Sequence, residues 1–235
     1  PDPEEIVQQS IVEILSTEEL TEKKVLVTAG GTQEDLDPVR YLGNYSTGKM
    51  GYNLARVAQV EGADVTLVSA PTNLNKPNGV DLVEIKSAEE MYQQVMELQE
   101  EQDIIIMAAA VADYRPVNRE VQKIKKSSDE LRLELERTTD ILSQLGQVRD
   151  DEQVLVGFAA ETEDLLANAQ QKLKEKQADL IVANDVSASD IGFASDDNQV
   201  TLISEQGQKK IKKANKLKIA IQIFNEIMQL AADKE

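Results

Sequence analysis

The chain has 235 residues and a formal net charge of −18, an acidity that argues against a nucleic-acid-binding or anionic-membrane surface because both need a basic footprint. It contains no cysteine and no histidine, which excludes disulfide bonds, a thiolate nucleophile, an imidazole base and a Cys/His zinc site. No apolar run approaches the roughly 20 residues of a membrane span and no signal peptide is visible, so we expect a soluble cytoplasmic protein.

Residues 1–22 predict a short amphipathic helix followed by a linker. This segment holds seven acidic side chains and no basic one, and we expect its end, from Glu18 to Glu22, to be too polar to pack. The folded domain would then span residues 23–235. The first residue is Pro1 rather than methionine, which is typical of a fragment or a processed chain.

From Lys23 onward, short apolar runs alternate with helical patterns. Strands are predicted at about residues 25–29, 65–68, 82–85, 103–108, 131–136, 154–158 and 180–183, of which 131–136 alternates strictly and would be half exposed. Helices are predicted after Lys49 up to Gly62, from a capping box at Ser87 to about residue 100, and over residues 163–176 and 217–230. A hairpin is predicted at residues 200–203 and 209–212. This pattern predicts an α/β, Rossmann-like three-layer domain with a mostly parallel central sheet and a small added β-hairpin region.

The long loop after the first strand is the most informative segment. Gly30 and Gly31 break the apolar run, and a polar stretch then leads through Ser46 to the Gly48-Lys49 turn that opens a helix. An α/β domain exposes backbone N–H groups to an anion in this way at the carboxyl end of a strand. The segment therefore predicts a phosphate or nucleotide site.

Two common nucleotide motifs do not fit this loop. The glycines do not match the G-x-G-x-x-G fingerprint, and Ser69-Ala70-Pro71 stands where the ribose-binding acid is expected. An NAD(P)-dependent oxidoreductase is therefore disfavoured. The Gly48-Lys49 pair is not preceded by a Walker A spacing, which excludes a P-loop. The sequence leaves open a non-catalytic nucleotide-binding module.

Three further segments could contact a ligand. Lys123 and its lysine neighbours follow the end of a buried strand, where a solvated loop and a ligand contact are equally reasonable interpretations. Lys172 and Lys176 lie four residues apart on one predicted helix face, and alone they are best explained as surface lysines. Thr139 or Asp140 could cap a helix whose N–H groups could instead hold a ligand, and on the residues alone the cap is favoured.

Several motifs occur together in one order along the chain: Gly30-Gly31-Thr32, Asp37-Pro38-Val39-Arg40, Asn44, Ser46, Gly48-Lys49-Met50-Gly51, Ala109-Ala110-Val111-Ala112-Asp113-Tyr114, Lys123-Ile124-Lys125-Lys126, Gly157-Phe158-Ala159-Ala160-Glu161-Thr162, Ala183-Asn184-Asp185-Val186, Gly192-Phe193 and Ser195-Asp196-Asp197-Asn198. Together they are much more specific than any one of them. From about Lys23 to the C-terminus, the chain closely resembles the bacterial phosphopantothenoylcysteine synthetase family.

The resemblance implies a ligase of coenzyme A biosynthesis that acts in two steps. 4′-Phosphopantothenate would attack CTP, with Mg²⁺ expected beside the triphosphate, to give an acyl-cytidylate and pyrophosphate, and the amine of L-cysteine would then displace CMP. In most bacteria this domain is the C-terminal half of a bifunctional protein whose N-terminal half is a flavin-dependent decarboxylase, so residues 1–22 would be the remnant of that junction. The family is dimeric, which implies a homodimer.

The resemblance also implies roles for individual residues. Asn44 would stabilise the acyl-cytidylate and Lys123 would serve its conversion to product, while the phosphate and substrate loop would contain Gly30, Gly31, Ser46, Gly48 and Lys49. The residues expected to contact CTP are Asp113, Lys123, Thr139, Asp140, Ile141, Leu142, Phe158, Lys172 and Lys176. Thr139 stands where the family usually has proline, which loosens this loop. The sequence identifies neither the metal ligands nor the cysteine pocket.

Overall fold

The computed structural model describes residues 10, 17–125, 130–161, 164–185 and 197–234. The strands are β1 (Lys24–Ala29), β2 (Glu34–Asp35), β3 (Tyr41–Leu42), β4 (Asp64–Ser69), β5 (Val80–Glu84), β6 (Ile104–Met107), β7 (Tyr114–Pro116), β8 (Leu135–Arg137), β9 (Val154–Glu161), β10 (Leu180–Asp185), β11 (Asp197–Ser204) and β12 (Gly207–Asn215). The helices are α1 (Lys49–Val60), α2 (Ala88–Leu98), α3 (Ile141–Val148), α4 (Leu165–Glu175) and α5 (Lys216–Ala232). None of these helices has the length and apolar character that a membrane span requires.

An eight-stranded sheet forms the middle layer, with the strand order β12-β11-β10-β9-β6-β1-β4-β5. The neighbours from β10 to β5 are parallel, whereas β11 and β12 run antiparallel at one edge. The chain leaves β1 toward β4 and β5 and later places β6 on the other side of β1. The crevice between the carboxyl ends of β1 and β6 is therefore the topological switch point at which α/β sheets bind ligands.

Helices cover both faces of the sheet, which explains why its central strands are continuous apolar runs. α1 and α5 pack against one face, where Leu54 and Phe224 are almost fully buried. α2, α3 and α4 contribute to the core on the opposite face, through side chains such as Met91, Leu145 and Leu173. The three layers and the mostly parallel sheet confirm the predicted fold class.

One predicted strand is mostly absent. Of residues 131–136, only the end belongs to a strand, β8, which pairs with the three-residue β7 in a separate two-stranded sheet. Leu131, Leu133 and Leu135 are each more than 40% exposed, at 54%, 41% and 42%, because no apolar layer covers them within the described residues. The prediction of a half-exposed strand over residues 131–136 is therefore wrong. Alternation along the sequence cannot supply the partner strand that pairing requires.

The segment before β1 also differs from the prediction. Leu20 is only 3% exposed, and its backbone N–H donates to the Glu61 carbonyl at 2.9 Å. The Thr17 N–H donates to Glu61 Oε2 at 2.8 Å. The expectation that residues 18–22 are too polar to pack is wrong, because one leucine and two backbone N–H groups dock this segment at the end of α1. The helix predicted before it falls mostly on residues 1–9 and 11–16, outside the described residues, and the domain junction stays a prediction.

Candidate functional site

Three adjoining cavities open at the carboxyl ends of the parallel strands. The central cavity, of about 380 Å³, is bounded by the loops after β1 and β6, by the ends of β9 and β10, and by the first turns of α1 and α5. It shares wall residues with a cavity of about 460 Å³ at the start of α3 and with one of about 500 Å³ beside the loop after β1. A further cavity of about 520 Å³ lies at the opposite end of the sheet and contains none of the predicted site residues. The sequence motifs therefore converge on the three adjoining cavities.

Most predicted site residues lie in the walls of these cavities. The central cavity is lined by Asn44, Ser46, Gly48, Lys49, Asp113, Phe158 and Lys172. Gly31 lines the cavity beside the loop after β1, and Thr139, Asp140, Ile141 and Leu142 line the cavity at α3. Gly30, Lys123 and Lys176 are in none of these walls. Other quoted motif residues, Lys126, Thr162, Val186, Gly192, Phe193, Ser195 and Asp196, lie outside the described residues.

Asn44 spans the crevice between the β1 and β6 loops. Its Nδ2 donates to the Ala110 carbonyl at 2.6 Å, and its Oδ1 accepts from the Ser46 N–H at 3.0 Å. A Cβ atom on Gly31 would lie 2.3 Å from Asn44 Oδ1, so only glycine allows the amide to lie there undisturbed. The side chain remains exposed, and each polar atom of an amide can make one further hydrogen bond. Asn44 is therefore held in place and still able to bind a ligand.

The N-terminus of α1 opens into the central cavity. Its N-cap, Gly48, has a φ of 79° and provides no side-chain cap, and the first turn contains no acidic residue. A side chain at Gly48 would also collide with Thr72, since its Cβ would lie 2.6 Å from Thr72 Cγ2. Backbone N–H groups and the positive end of the helix dipole attract anions in such a place. This turn therefore suits a phosphate group.

The N-terminus of α3 has the opposite character. Asp140 caps it by accepting the Ser143 N–H at 2.9 Å, as the cap interpretation predicted, and it also accepts from Lys176 Nζ at 2.8 Å. Burial raises the pKa of the Asp140 carboxyl, but the Lys176 ammonium and the Ser143 N–H outweigh burial and hold the pKa below its ordinary value. Because a carboxylate already occupies this helix end, the α3 cavity suits an uncharged group better than a phosphate.

Lys172 in α4 and Lys176 just after its end have different surroundings. Lys172 lines both the central and the α3 cavity, and its Nζ donates to the Phe158 carbonyl at 3.0 Å. Lys176 follows the last residue of α4 and is paired with Asp140, with its side chain 20% exposed. Each lysine is partly buried and bonded, and neither bond decides between a surface lysine and a ligand contact. Only Lys172 reaches the cavity walls.

Lys123 lies in an exposed loop whose backbone is fixed by a buried carboxylate. The N–H of the next residue, Ile124, donates to Asp37 Oδ2 at 3.0 Å, and its carbonyl accepts from Arg40 Nη2 at 2.9 Å. The loop after β1 thus fixes the backbone of the loop that contains Lys123. Lys123 does not line a cavity in this arrangement.

Three buried polar wall residues of the central cavity were not among the predicted site residues. Asn184 at the end of β10 is 9% exposed, and its Oδ1 is buried without a hydrogen-bond partner among the described residues. Asn198 and Lys216, the first residue of α5, are 4% and 5% exposed. An acceptor left without a donor is costly unless a ligand completes it. Asn184 follows the strand predicted at residues 180–183, which is a usable signal, but nothing near Lys216 in the sequence distinguishes it from an ordinary helix start.

The described residues contain no cluster of three or more acidic side chains that could hold a metal ion by themselves. Asp113 is the carboxylate in the wall of the central cavity. Mg²⁺ in nucleotide sites is usually held by one or two carboxylates together with phosphate oxygens. The wall therefore fits a metal ion that arrives with a phosphate ligand.

Comparisons with known proteins identify the family of this chain. Residues 20–230 match the family described as DNA/pantothenate metabolism flavoprotein C-terminal domain. The chain is 44% identical over 213 residues to the coenzyme A biosynthesis bifunctional protein CoaBC of Vibrio vulnificus (strain YJ016), which covers 90% of this chain and 53% of that protein. It is 45% identical over 211 residues to the CoaBC protein of Bacillus subtilis (strain 168), which covers 89% of this chain and 52% of that protein. The chain thus spans about half the length of these relatives.

Solved structures show the same fold. The crystal structure of the C-terminal domain of a CoaBC protein has a TM-score of 0.79 and 41% identity, and the match covers 92% of this chain and 100% of that one. A Cab2 variant in complex with phosphopantothenate-cysteine has a TM-score of 0.72 at 18% identity, with 99% of this chain and 96% of that chain covered. At that identity, the Cab2 likeness shows the fold alone.

Proposed function

This chain belongs to the DNA/pantothenate metabolism flavoprotein C-terminal domain family, and we propose that it ligates 4′-phosphopantothenate to L-cysteine at the expense of CTP, as a step of coenzyme A biosynthesis in the cytoplasm. The observation that carries the proposal is the central cavity. It places the uncapped N-terminus of α1, the amide of Asn44 and the ammonium of Lys172 around one space at the switch point of the sheet.

The chemistry of this ligation suits a protein without histidine and cysteine. In the first step, a carboxylate oxygen of 4′-phosphopantothenate attacks the α-phosphorus of CTP, and pyrophosphate leaves. In the second step, the amine of L-cysteine attacks the acyl carbon, and CMP leaves with the electrons of the broken C–O bond. CTP supplies the activation, so the protein must chiefly position anionic groups and neutralise their charge.

The residues of the site would have different roles in the reaction. The α1 turn and Lys172 would hold phosphate groups, and the α3 cavity, with its capped helix, would accept the cytosine ring against residues 139–142. Asn44 would hydrogen-bond acyl and phosphoryl oxygens of the intermediate without adding charge. Lys123 would reach the site from its loop in the second step. Asp113 would contact Mg²⁺ bound to the triphosphate, and the metal would neutralise phosphate charge.

The alternative of an NAD(P)-dependent oxidoreductase has no support in the structure. The end of β4, where such enzymes place a ribose-binding acid, is occupied by Ser69, whose hydroxyl donates to the Ala70 carbonyl at 2.8 Å. The Tyr52 hydroxyl donates to Ser69 Oγ at 3.3 Å. This space is filled by bonded protein groups and not by an acid.

A pyrophosphate-release assay with CTP, ATP, GTP and UTP tests the proposal. We expect release with CTP that depends on 4′-phosphopantothenate, and phosphopantothenoylcysteine as product after L-cysteine is added. CTP binding without turnover would favour a non-catalytic nucleotide-binding module, and equal turnover with ATP would contradict the assignment of the cytosine site. The homodimer and the N-terminal decarboxylase domain belong to the same proposal. Sedimentation of this chain and sequencing of the full-length gene product test them.

A further inference from the structure

Asp37 is a fully buried carboxylate in the loop between β2 and β3. Its side chain is 0% exposed, and it accepts from the N–H groups of Val39 and Arg40 at 2.8 and 2.9 Å. Arg40 Nε also donates to Asp37 Oδ2 at 3.0 Å. The Arg40 guanidinium holds the pKa of this carboxyl well below its ordinary value, although burial acts in the opposite direction. Asp37 therefore remains charged at neutral pH.

The same carboxylate fixes a segment 87 residues away in the sequence, since Asp37 Oδ2 accepts the N–H of Ile124. Arg40 Nη2 donates to the carbonyl of that residue. A further backbone bond joins the Glu120 N–H to the Leu36 carbonyl at 2.9 Å. Lys123 lies between these two attachments, with an exposed side chain on a fixed backbone.

We propose that Asp37 is a positioning residue for the second half-reaction, in which it acts by fixing the backbone next to Lys123 through Ile124 and Arg40. This inference rests on the proposed function for the role of Lys123. The anchor limits the movement of the Lys123 backbone and leaves the side chain able to move. Less conformational entropy is therefore lost when the Lys123 ammonium pairs with a phosphate group of the intermediate.

Asp37→Asn removes the charge with little change of shape. In the unchanged protein, both carboxylate oxygens of Asp37 accept from N–H donors. In the Asn variant, an NH₂ group replaces one of these oxygens and cannot accept, so at least one bond to Ile124 or Arg40 is lost. Without L-cysteine, we expect pyrophosphate release within about threefold of the unchanged protein, whereas ligation should slow by about tenfold or more. The double variant with Lys123→Gln should ligate no more slowly than Lys123→Gln alone, because both changes disable the same lysine. Equal loss in both half-reactions, or full additivity, would overturn the proposal.

Two further variants separate positioning from stability. Arg40→Lys keeps a positive charge beside Asp37 but lacks the planar fork that reaches Ile124, so it should stay folded and show the same selective loss in a weaker form. Asp179→Asn is the matched control, because Asp179 is a carboxylate with a side chain only 14% exposed that pairs with an arginine and accepts a backbone N–H, that of Leu155. It should lower the thermal midpoint without slowing ligation selectively. A selective ligation defect in Asp179→Asn would show that general loosening causes the effect.

The anchor can also be measured without an enzymatic assay. The chain has no cysteine, so Val121→Cys, at a position 88% exposed in the same loop, provides one site for a nitroxide label. Adding Asp37→Asn should increase the mobility of this label, and adding Asp179→Asn should not. An unchanged spectrum with Asp37→Asn would overturn the anchor whatever the activity. A freed loop in a protein without CTP-dependent ligation would refute the proposed function and leave the anchor established.

Discussion

Gly31 lies next to the side-chain amide of Asn44, and a Cβ atom added to the glycine would be 2.3 Å from Asn44 Oδ1. The nearest neighbours of that added atom all belong to the Asn44 side chain. A residue larger than glycine would therefore displace the Asn44 amide and leave the surrounding backbone in place.

We predict that Gly31→Ala impairs formation of the acyl-cytidylate with little change in thermal stability. A shift of the amide by about 1 Å can cost on the order of a hundredfold in rate. Gly43→Ala is the control, because its Cβ would contact Tyr41 and the Thr32 carbonyl and not the Asn44 amide. The measurement is single-turnover pyrophosphate release together with the thermal midpoint. Wild-type release by Gly31→Ala would remove Asn44 from the first step.

Lys172 gives a second prediction, on nucleotide affinity. Lys172→Ala removes an ammonium from two cavity walls, and a partly desolvated bond to a phosphate contributes roughly 1.5–3 kcal/mol. CTP should therefore bind roughly ten- to a hundredfold more weakly, as measured by calorimetry. Lys174→Ala, an exposed lysine on the same helix, should leave the affinity unchanged. If both variants bind CTP alike, Lys172 is not a nucleotide contact.

Lys176 should act through the Asp140 carboxyl. Lys176→Ala removes the largest contribution that opposes burial, so the pKa of Asp140 should rise, which a carboxyl-carbon NMR titration measures. Because the folded-state pKa is depressed, the pair stabilises the fold above the ordinary carboxyl pKa of about 4, and this contribution disappears as the pH falls through the folded value. The stability difference from the unchanged protein should be small at pH 7, about 0.5–1 kcal/mol, because half of the Asp140 side chain is exposed. A difference that grows on acidification would contradict this assignment.

Local signals predicted much of this structure. The apolar runs located the central strands, the Ser87 capping box and the Asp140 cap were placed correctly, and two glycines marked the loop at the switch point. These features depend on residues close together in the sequence. The nucleotide site that the same reasoning indicates at the carboxyl ends of the strands stays a prediction.

The features that the sequence did not predict depend on contacts between residues far apart in the chain. Leu20 is buried because Glu61 and the end of α1 dock its segment. Residues 131–134 lie outside β8, although the Glu134 carbonyl accepts the Val117 N–H at 3.1 Å. Lys216 enters the central cavity only because α5 begins beside the end of β10, which no local pattern indicates. The bond from Ile124 to Asp37 crosses 87 residues. Contacts of this kind are set by the order of the strands rather than by neighbouring residues.

Asn184 provides a prediction about an incomplete hydrogen bond. Since its buried Oδ1 has no partner among the described residues, Asn184→Leu should leave the free energy of unfolding unchanged or raise it. The same change should lower the binding affinity of the ligand that donates a hydrogen bond to Asn184 Oδ1, as measured by titrations with CTP and with 4′-phosphopantothenate. Asn198→Leu is the contrast, because Asn198 Oδ1 accepts the Gln199 N–H at 2.9 Å and its loss should destabilise the fold. Unchanged affinity for both ligands in Asn184→Leu would show that this oxygen does not face the site.

The most discriminating prediction separates Asn44 from Lys123 in the two half-reactions. Lys123→Gln should release pyrophosphate in a single turnover and fail to join L-cysteine, whereas Lys125→Gln, an exposed neighbour, should do both. Asn44→Asp should retain less intermediate, because a carboxylate would face both the Ala110 carbonyl, now 2.6 Å from Nδ2, and a phosphoryl oxygen of the same sign. Labelled acyl-cytidylate trapped on each variant measures the difference directly. Product formation by Lys123→Gln at the wild-type rate would show that the lysine loop is only a solvated segment, and would remove the second-step role assigned to it.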